Sequence, residues 1–94
     1  MNNIALPIEN SDGLQGSIFV YPNPANSTLT ILINGTQKGK VAIEIFDLLG
    51  NCILQTEREI DLGENQITIN LENLDSGSYI LKAGSSVKKI LMIK

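Results

Sequence analysis

Ninety-four residues, 43% of them hydrophobic, suffice for one domain with one core, and with only two Phe and two Tyr that core falls to Ile, Leu and Val. A net charge of −3, a pI of about 4.7 and the absence of histidine exclude the concentrated basic face that nucleic acid requires and the side chain that most often titrates near neutrality. The single cysteine, Cys52, excludes an internal disulfide, and no stretch is long and apolar enough to span a membrane.

Residues 1–16, MNNIALPIENSDGLQG, hold Pro7, Asp12-Gly13 and Gly16 among scattered apolar residues, the composition of a linker or loose lead-in strand. They lack the basic and apolar regions of a secretory signal, so any signal peptide is expected in a longer protein of which this chain is the C-terminal piece. Residues 17–94 are expected to form the folded domain. Ser17 to Tyr21 is a short β run, stopped by Pro22-Asn23-Pro24. Two prolines in three residues remove two ladder donors and hold Asn23 extended, which predicts a sheet edge or a crossover between sheets. Thr28 to Ile33 alternates, with Leu29, Ile31 and Ile33 on one face. Asn34-Gly35 is a turn signal, and Thr36 to Lys40 completes a loop of hairpin size.

Val41 to Gln55 forms the central ribbon: Val41, Ile43 and Ile45 share a face, Asp47 to Asn51 reverses the chain with Gly50 free to take positive φ, and Cys52 to Leu54 return. Glu57 to Asn65 is polar, with Ile60 and Leu62 as isolated anchors and Gly63 as a turn residue. Ile67, Ile69 and Leu71 alternate clearly. A loop with Leu74 buried follows, then a strand carrying Tyr79, Leu81 and Ala83, a turn at Gly84 to Ser86, and a last strand from Val87 to Ile93 whose inward pair the pattern does not distinguish. About seven short strands without helical periodicity predict an all-β fold, an immunoglobulin-like or fibronectin-like antiparallel β-sandwich. In Leu74-x-x-Gly77-x-Tyr79 a tyrosine just after a tight corner is placed to return its hydroxyl to the corner backbone, the tyrosine-corner device of such sandwiches.

Catalysis has little to draw on. Glu44 and Asp47 project to opposite strand faces, the loop serines lack a base, Cys52 has no histidine to activate it and is expected as a buried or half-buried hydrophobe, and no metal-ligand spacing occurs. No cofactor is expected. Charge is unevenly distributed: residues 41–75 hold eight acids and Arg58, net −7, whereas residues 76–94 hold Lys82, Lys88, Lys89 and Lys94 and no acid, net +4. Two solvated sheet edges account for such a split, as does a basic terminal handle on an acidic body.

Laid side by side, these segments resemble the C-terminal sorting domain of the type IX (Por) secretion system of Bacteroidetes, over about Ile18 to Lys94. Val20-Tyr21-Pro22-Asn23-Pro24 with Leu29 and Ile31 is similar to the family's opening proline motif. Ile43-Glu44-Ile45-Phe46-Asp47-Leu48-Leu49-Gly50 resembles its strand-and-turn motif, Leu71 and Leu74 with Ser76 to Leu81 its Leu-x-x-Gly-x-Tyr segment, and Lys88 to Lys94 its terminal basic strand. Each motif is weak alone; four in order, with the sequence stopping after the last, are strong. Asn51 stands where the family often has a basic residue, and Ser78 replaces a commoner branched apolar residue.

The resemblance implies an address, not an enzyme. A fused N-terminal passenger would cross the inner membrane on its own signal, meet the outer-membrane secretion apparatus in the periplasm, and finish at the cell surface or in the medium. In many cases a surface sortase would cut in the linker, here within or near residues 1–16. The domain is expected to be a monomer that does not span the membrane and binds no nucleic acid. The residues expected to be read by the machinery are Lys88, Lys89, Ile90, Leu91, Met92, Ile93 and Lys94, with Pro22, Asn23 and Pro24 and the turn from Asp47 to Gly50; Leu74, Gly77 and Tyr79 are expected to be structural. Two other readings stand beside this one. An accessory immunoglobulin-like module for adhesion or glycan binding would need exposed aromatics on a sheet face, whereas Phe19, Tyr21, Phe46 and Tyr79 all fall in strands and are available as core. A purely structural C-terminal domain is the third.

Overall fold

The alternating runs become seven antiparallel strands in the computed structural model, which describes residues 18–94: β1 Phe19–Tyr21, β2 Thr28–Gly35, β3 Gly39–Phe46, β4 Cys52–Ile60, β5 Gly63–Asn70, β6 Gly77–Ala83 and β7 Ser86–Met92. The expected lead-in segment and Ser17 lie outside the described residues. Three strands form one sheet in the order β1-β2-β5, and four form the other in the order β4-β3-β6-β7, so the chain is a β-sandwich. Inner faces follow from the period of two. Leu29, Ile31 and Ile33 of β2 and Ile67 and Ile69 of β5 meet Val41, Ile43 and Ile45 of β3, Tyr79, Leu81 and Ala83 of β6, and Ile90 and Met92 of β7. Among the described residues no polar or charged side chain is buried. The inward pair of the last strand is thereby identified: Ile90 and Met92 are buried, while Val87, Leu91 and Ile93 are exposed.

The central ribbon pairs as expected, β3 with β4, with a register shift between Ile45 and Phe46. The other predicted hairpin does not form. Asn34 and Gly35 are the last residues of β2, which pairs with β5, and the loop after them carries the chain to the other sheet. Gly35 is required for a different reason than a turn. A Cβ there would lie 2.5 Å from the Asp61 carbonyl oxygen, so only glycine lets the two backbones approach. The polar stretch from Glu57 is an edge strand: β4 runs to Ile60, which is buried, but the other expected anchor, Leu62, is 73% exposed on the crossover. That crossover is held by Asn65, whose side-chain Nδ2 donates to the carbonyls of Asp61 and Gly63 and whose Oδ1 accepts from the Asp61 backbone amide.

Three further expectations are corrected. Cys52 is exposed, because it opens an edge strand just past the turn. Phe19 and Tyr21 are exposed and Phe46 is half-buried, since β1 and β3 turn these residues outward while Ile31 and Ile45 fill the interior. Leu74 is half-buried and packs against the core from the corner, whereas Leu71 and Ile45 are fully buried.

The tyrosine corner is present. The Tyr79 hydroxyl donates to the Asp75 carbonyl at 2.7 Å, and the corner is tightened by the Leu74 amide donating to the Leu71 carbonyl. Gly77 has φ +154°, a backbone conformation that L side chains rarely adopt, which lets the chain leave the corner directly into β6. Tyr79→Phe should lose about 1 kcal/mol of stability in denaturant melts, the value of one hydrogen bond with the ring retained. Leu71→Ala should cost about 2–5 kcal/mol through the cavity it leaves. A variant of Leu71 as stable as the parent would show that the inward face has been wrongly assigned.

Candidate functional site

The turn between β3 and β4 is built on one carboxylate. Asp47 Oδ1 accepts from the amides of Leu49 and Asn51, each at 2.9 Å, and Oδ2 accepts from the Asn51 side-chain nitrogen at 3.0 Å. The backbones close the loop as well, with the Gly50 amide donating to the Asp47 carbonyl and the Asp47 amide to that of Asn51. Gly50, at φ +94°, takes the conformation that the reversal demands. Asn51, the departure from the family pattern, thus completes the turn as a hydrogen-bond donor. With its carboxylate wrapped in this way Leu48 and Leu49 stand out in solvent, the latter 88% exposed.

Pro22 to Ala25 carry the chain from the edge of one sheet to the edge of the other, as the proline pair predicts. β1 is the outer strand of the three-stranded sheet, and Ala25 forms a parallel bridge with Met92 of β7, the outer strand of the four-stranded sheet. Prolines 22 and 24 have no amide hydrogen to give to β7. The Asn23 side chain supplies the contact instead: its Nδ2 donates to the Lys89 carbonyl at 3.3 Å and its Oδ1 accepts from the Leu91 amide at 3.1 Å. Ala25 then continues by backbone, its amide donating to the Leu91 carbonyl at 2.7 Å and its carbonyl accepting from Ile93 at 2.9 Å. The edge of β7 from Lys89 to Ile93 is therefore occupied within the domain and is not open for a partner to add a strand there.

The lysines of the last segment go to three different places. Lys88 is half-buried in the inner row with Ile90 and Met92, opposite Leu81. Lys89 faces outward opposite Ile80. Lys94 is tied to the tyrosine corner: its ammonium donates to the carbonyls of Leu71 at 3.2 Å and Glu72 at 2.8 Å, and its amide donates to Ser76 Oγ. A segment read in sequence as one basic strand is thus a core row, an exposed row and a clamp.

Strand registers bring the expected recognition segments together. Phe46, just before the Asp47 turn, lies opposite Ile80; Ser78 lies opposite Leu91; Ala25 bridges Met92; and the Leu71 amide, at the corner, donates to the Ser27 carbonyl. The proline segment, the Asp47 to Gly50 turn, the tyrosine corner and Lys94 accordingly crowd one end of the sandwich. β1 runs toward that end, from Phe19 beside Leu32 to Tyr21 beside Thr30. Two features escaped the sequence reading. The Asn23 amide as a substitute strand has no local signal, because its partners are 66 and 68 residues away. The outer row Phe46–Ile80–Lys89 needs the β3–β6 pairing, which no local pattern gives.

The Asp47 carboxyl is held below its ordinary value of 3.8, first by the Asn51 side-chain bond and then by the turn amides. A depressed folded-state value means that the turn's contribution is complete above the unfolded-state pKa and is lost as pH falls through the folded one. Between neutral pH and about pH 4 the hairpin should therefore be insensitive to pH, and below that it should weaken. Asp47→Asn should flatten the acid limb of the melting-temperature profile, and identical limbs in parent and variant would remove the role assigned to the carboxylate.

Comparison with known proteins bears on the same residues. Residues 19–94 match the family described as the secretion system C-terminal sorting domain. The chain is also 34% identical over 79 residues to an ulvan lyase, NLR42, of Nonlabens ulvanivorans; the match covers 83% of this chain and 14% of the length of that protein. The chain belongs to the secretion system C-terminal sorting domain family, the sorting signal of the Bacteroidetes type IX system that directs passenger proteins for translocation and is not a catalyst.

Proposed function

We propose that this domain is the C-terminal address of a longer precursor, carried behind an N-terminal passenger and read in the periplasm by the outer-membrane secretion apparatus. A surface sortase then cuts within or near residues 1–16, and the passenger finishes at the cell surface or in the medium. The observation that carries the reading is the meeting of the four motif segments in the fold, through the pairing of Phe46 with Ile80, Ser78 with Leu91 and Ala25 with Met92. Within the address, Lys89 presents charge and Leu91 and Ile93 present exposed apolar side chains, beside Pro22 to Pro24 and the Asp47 to Gly50 turn; Lys88 adds charge from the half-buried end of the inner row, and Ile90 and Met92 contribute through the core.

An adhesive, glycan-binding role is kept as a second reading by one observation. Phe19, 71% exposed, and Tyr21, 46% exposed, share the outer face of β1, next to Leu32 and Thr30 of β2 and a shallow hollow of about 190 Å3 lined by Phe19, Leu32, Ile33, Asn34 and Glu64. Binding to a panel of polysaccharides that is abolished by Phe19→Ala with Tyr21→Ala would establish it.

The sorting reading is tested with a reporter fused to residues 1–94 in a Bacteroidetes host. The fusion should reach the surface or medium, and the reporter alone should stay in the periplasm. Lys88→Gln with Lys89→Gln should keep the melting temperature within a few degrees, because Lys89 is exposed and glutamine keeps most of the stem of the half-buried Lys88, and yet should leave the reporter in the periplasm. Lys94→Gln should instead lower the melting temperature, since its ammonium holds two corner carbonyls. Normal export of the double variant would remove the two lysines from the address and move it to the proline segment and the Asp47 turn.

A further inference from the structure

The outer face of the four-stranded sheet divides by composition. Directly opposed residues of neighbouring strands share a face, so the registers place Phe46, Ile80 and Lys89 in one outer row, Glu44, Lys82 and Val87 in the next, and Ser78 with Leu91 in a third. The β6–β7 half of this face carries no carboxylate, because β6 and β7 contain no acid. Its acids, Glu44, Glu57 and Glu59, sit on β3 and β4. Lys82 and Lys89 are exposed, and neither ammonium is paired with a carboxylate among the described residues. Between and beside them lie Ile80, half-buried, Val87, 58% exposed, and Leu91, 39% exposed, with Phe46 half-buried at the border. The opposite outer face is chemically different: it also exposes apolar groups, Phe19 and Tyr21 beside Leu32 and Thr30, but β1, β2 and β5 contain no lysine or arginine, and its β5 row is Gln66 and Thr68.

We infer that this β6–β7 face, with Ile80, Leu91 and Val87 as its apolar centre and Lys82 and Lys89 as its charged posts, is the docking surface for a protein partner whose contact patch is apolar and bordered by carboxylates. The charge argues for that occupant: Lys82 and Lys89 flank an apolar strip on a half-face that holds no acid, with Glu44 across from Lys82 only at its border, so a carboxylate rim is attracted to this half of the face and a basic one is repelled. The covered edge of β7 argues for the face. From Lys89 to Ile93 the backbone is bonded to Asn23 and Ala25, which leaves side chains as the means of recognition along that stretch. The inference rests on the sorting reading, in that the partner is a component of the export machinery. It adds Lys82, which no sequence motif marks.

The experiment uses the reporter fused to the full chain in an export-competent Bacteroidetes host. Lys82→Glu with Lys89→Glu should reduce reporter at the surface or in the medium at least tenfold, with matching accumulation in the periplasm. Thr68→Glu with Gln66→Glu, which adds the same negative charges to the opposite sheet, should export as the parent does. A photoreactive benzoylphenylalanine at position 91 should crosslink to an outer-membrane component of the secretion apparatus, and one at position 68 should not, a readout that requires no change in charge. Normal export of the Lys82, Lys89 variant, or crosslinking at position 68 and not at 91, would overturn the docking face while the sorting reading stands. A parent fusion that is exported no better than the reporter without the domain would overturn both.

Discussion

The fold depends on how the outer edge of the last strand is closed. β7 ends the order of the four-stranded sheet, and an edge strand normally presents a row of unpaired amides and carbonyls. Here the row is met by a segment that cannot form a strand. Pro22 and Pro24 have no amide hydrogen, so the Asn23 side chain, which carries one acceptor and one donor group as a peptide does, takes the place of a backbone, and Ala25 completes the contact. Residues near position 23 are thereby fixed to residues near position 91, and the two sheets are laced together along one side.

Everything else at that end of the sandwich follows from the lacing. Ala25 is buried against Met92, which brings Ser27 to the Leu71 amide and so places the corner. The corner is then held twice, by the Tyr79 hydroxyl from inside the sheet and by the Lys94 ammonium from beyond β7. The Asp47 turn stands next to it because Phe46 pairs with Ile80. Segments scattered over the sequence become one surface, and the part of that surface left for a partner is made of side chains.

Local sequence showed the strands well because period-two alternation at Val41 to Ile45, Ile67 to Leu71 and Tyr79 to Ala83 is a direct imprint of one buried face. The Asp47 turn and the tyrosine corner were legible for the same reason: their hydrogen bonds span four residues or fewer. Failures came where a residue serves a distant neighbour. Gly35 looked like half of a hairpin turn, but it answers to the approach of the Asp61 backbone, 26 positions away. Phe19 and Tyr21 looked like core on hydrophobicity alone, yet β1 has only β2 beside it, and the interior is already filled by aliphatic side chains. The lysines of the last segment were read as one charged set, and only the registers separate the half-buried Lys88, the outward Lys89 and the clamping Lys94.

The role given to Asn23 is open to a direct measurement, native-state hydrogen exchange followed residue by residue. Amides on an open sheet edge exchange readily, whereas bonded ones wait for an opening event. In the parent, the Leu91 and Ile93 amides should be protected. In Asn23→Ala, Leu91 should lose its protection while an interior amide such as that of Ile31 keeps its own. Equal exchange of Leu91 in the two proteins would contradict the claim that this side chain closes the edge.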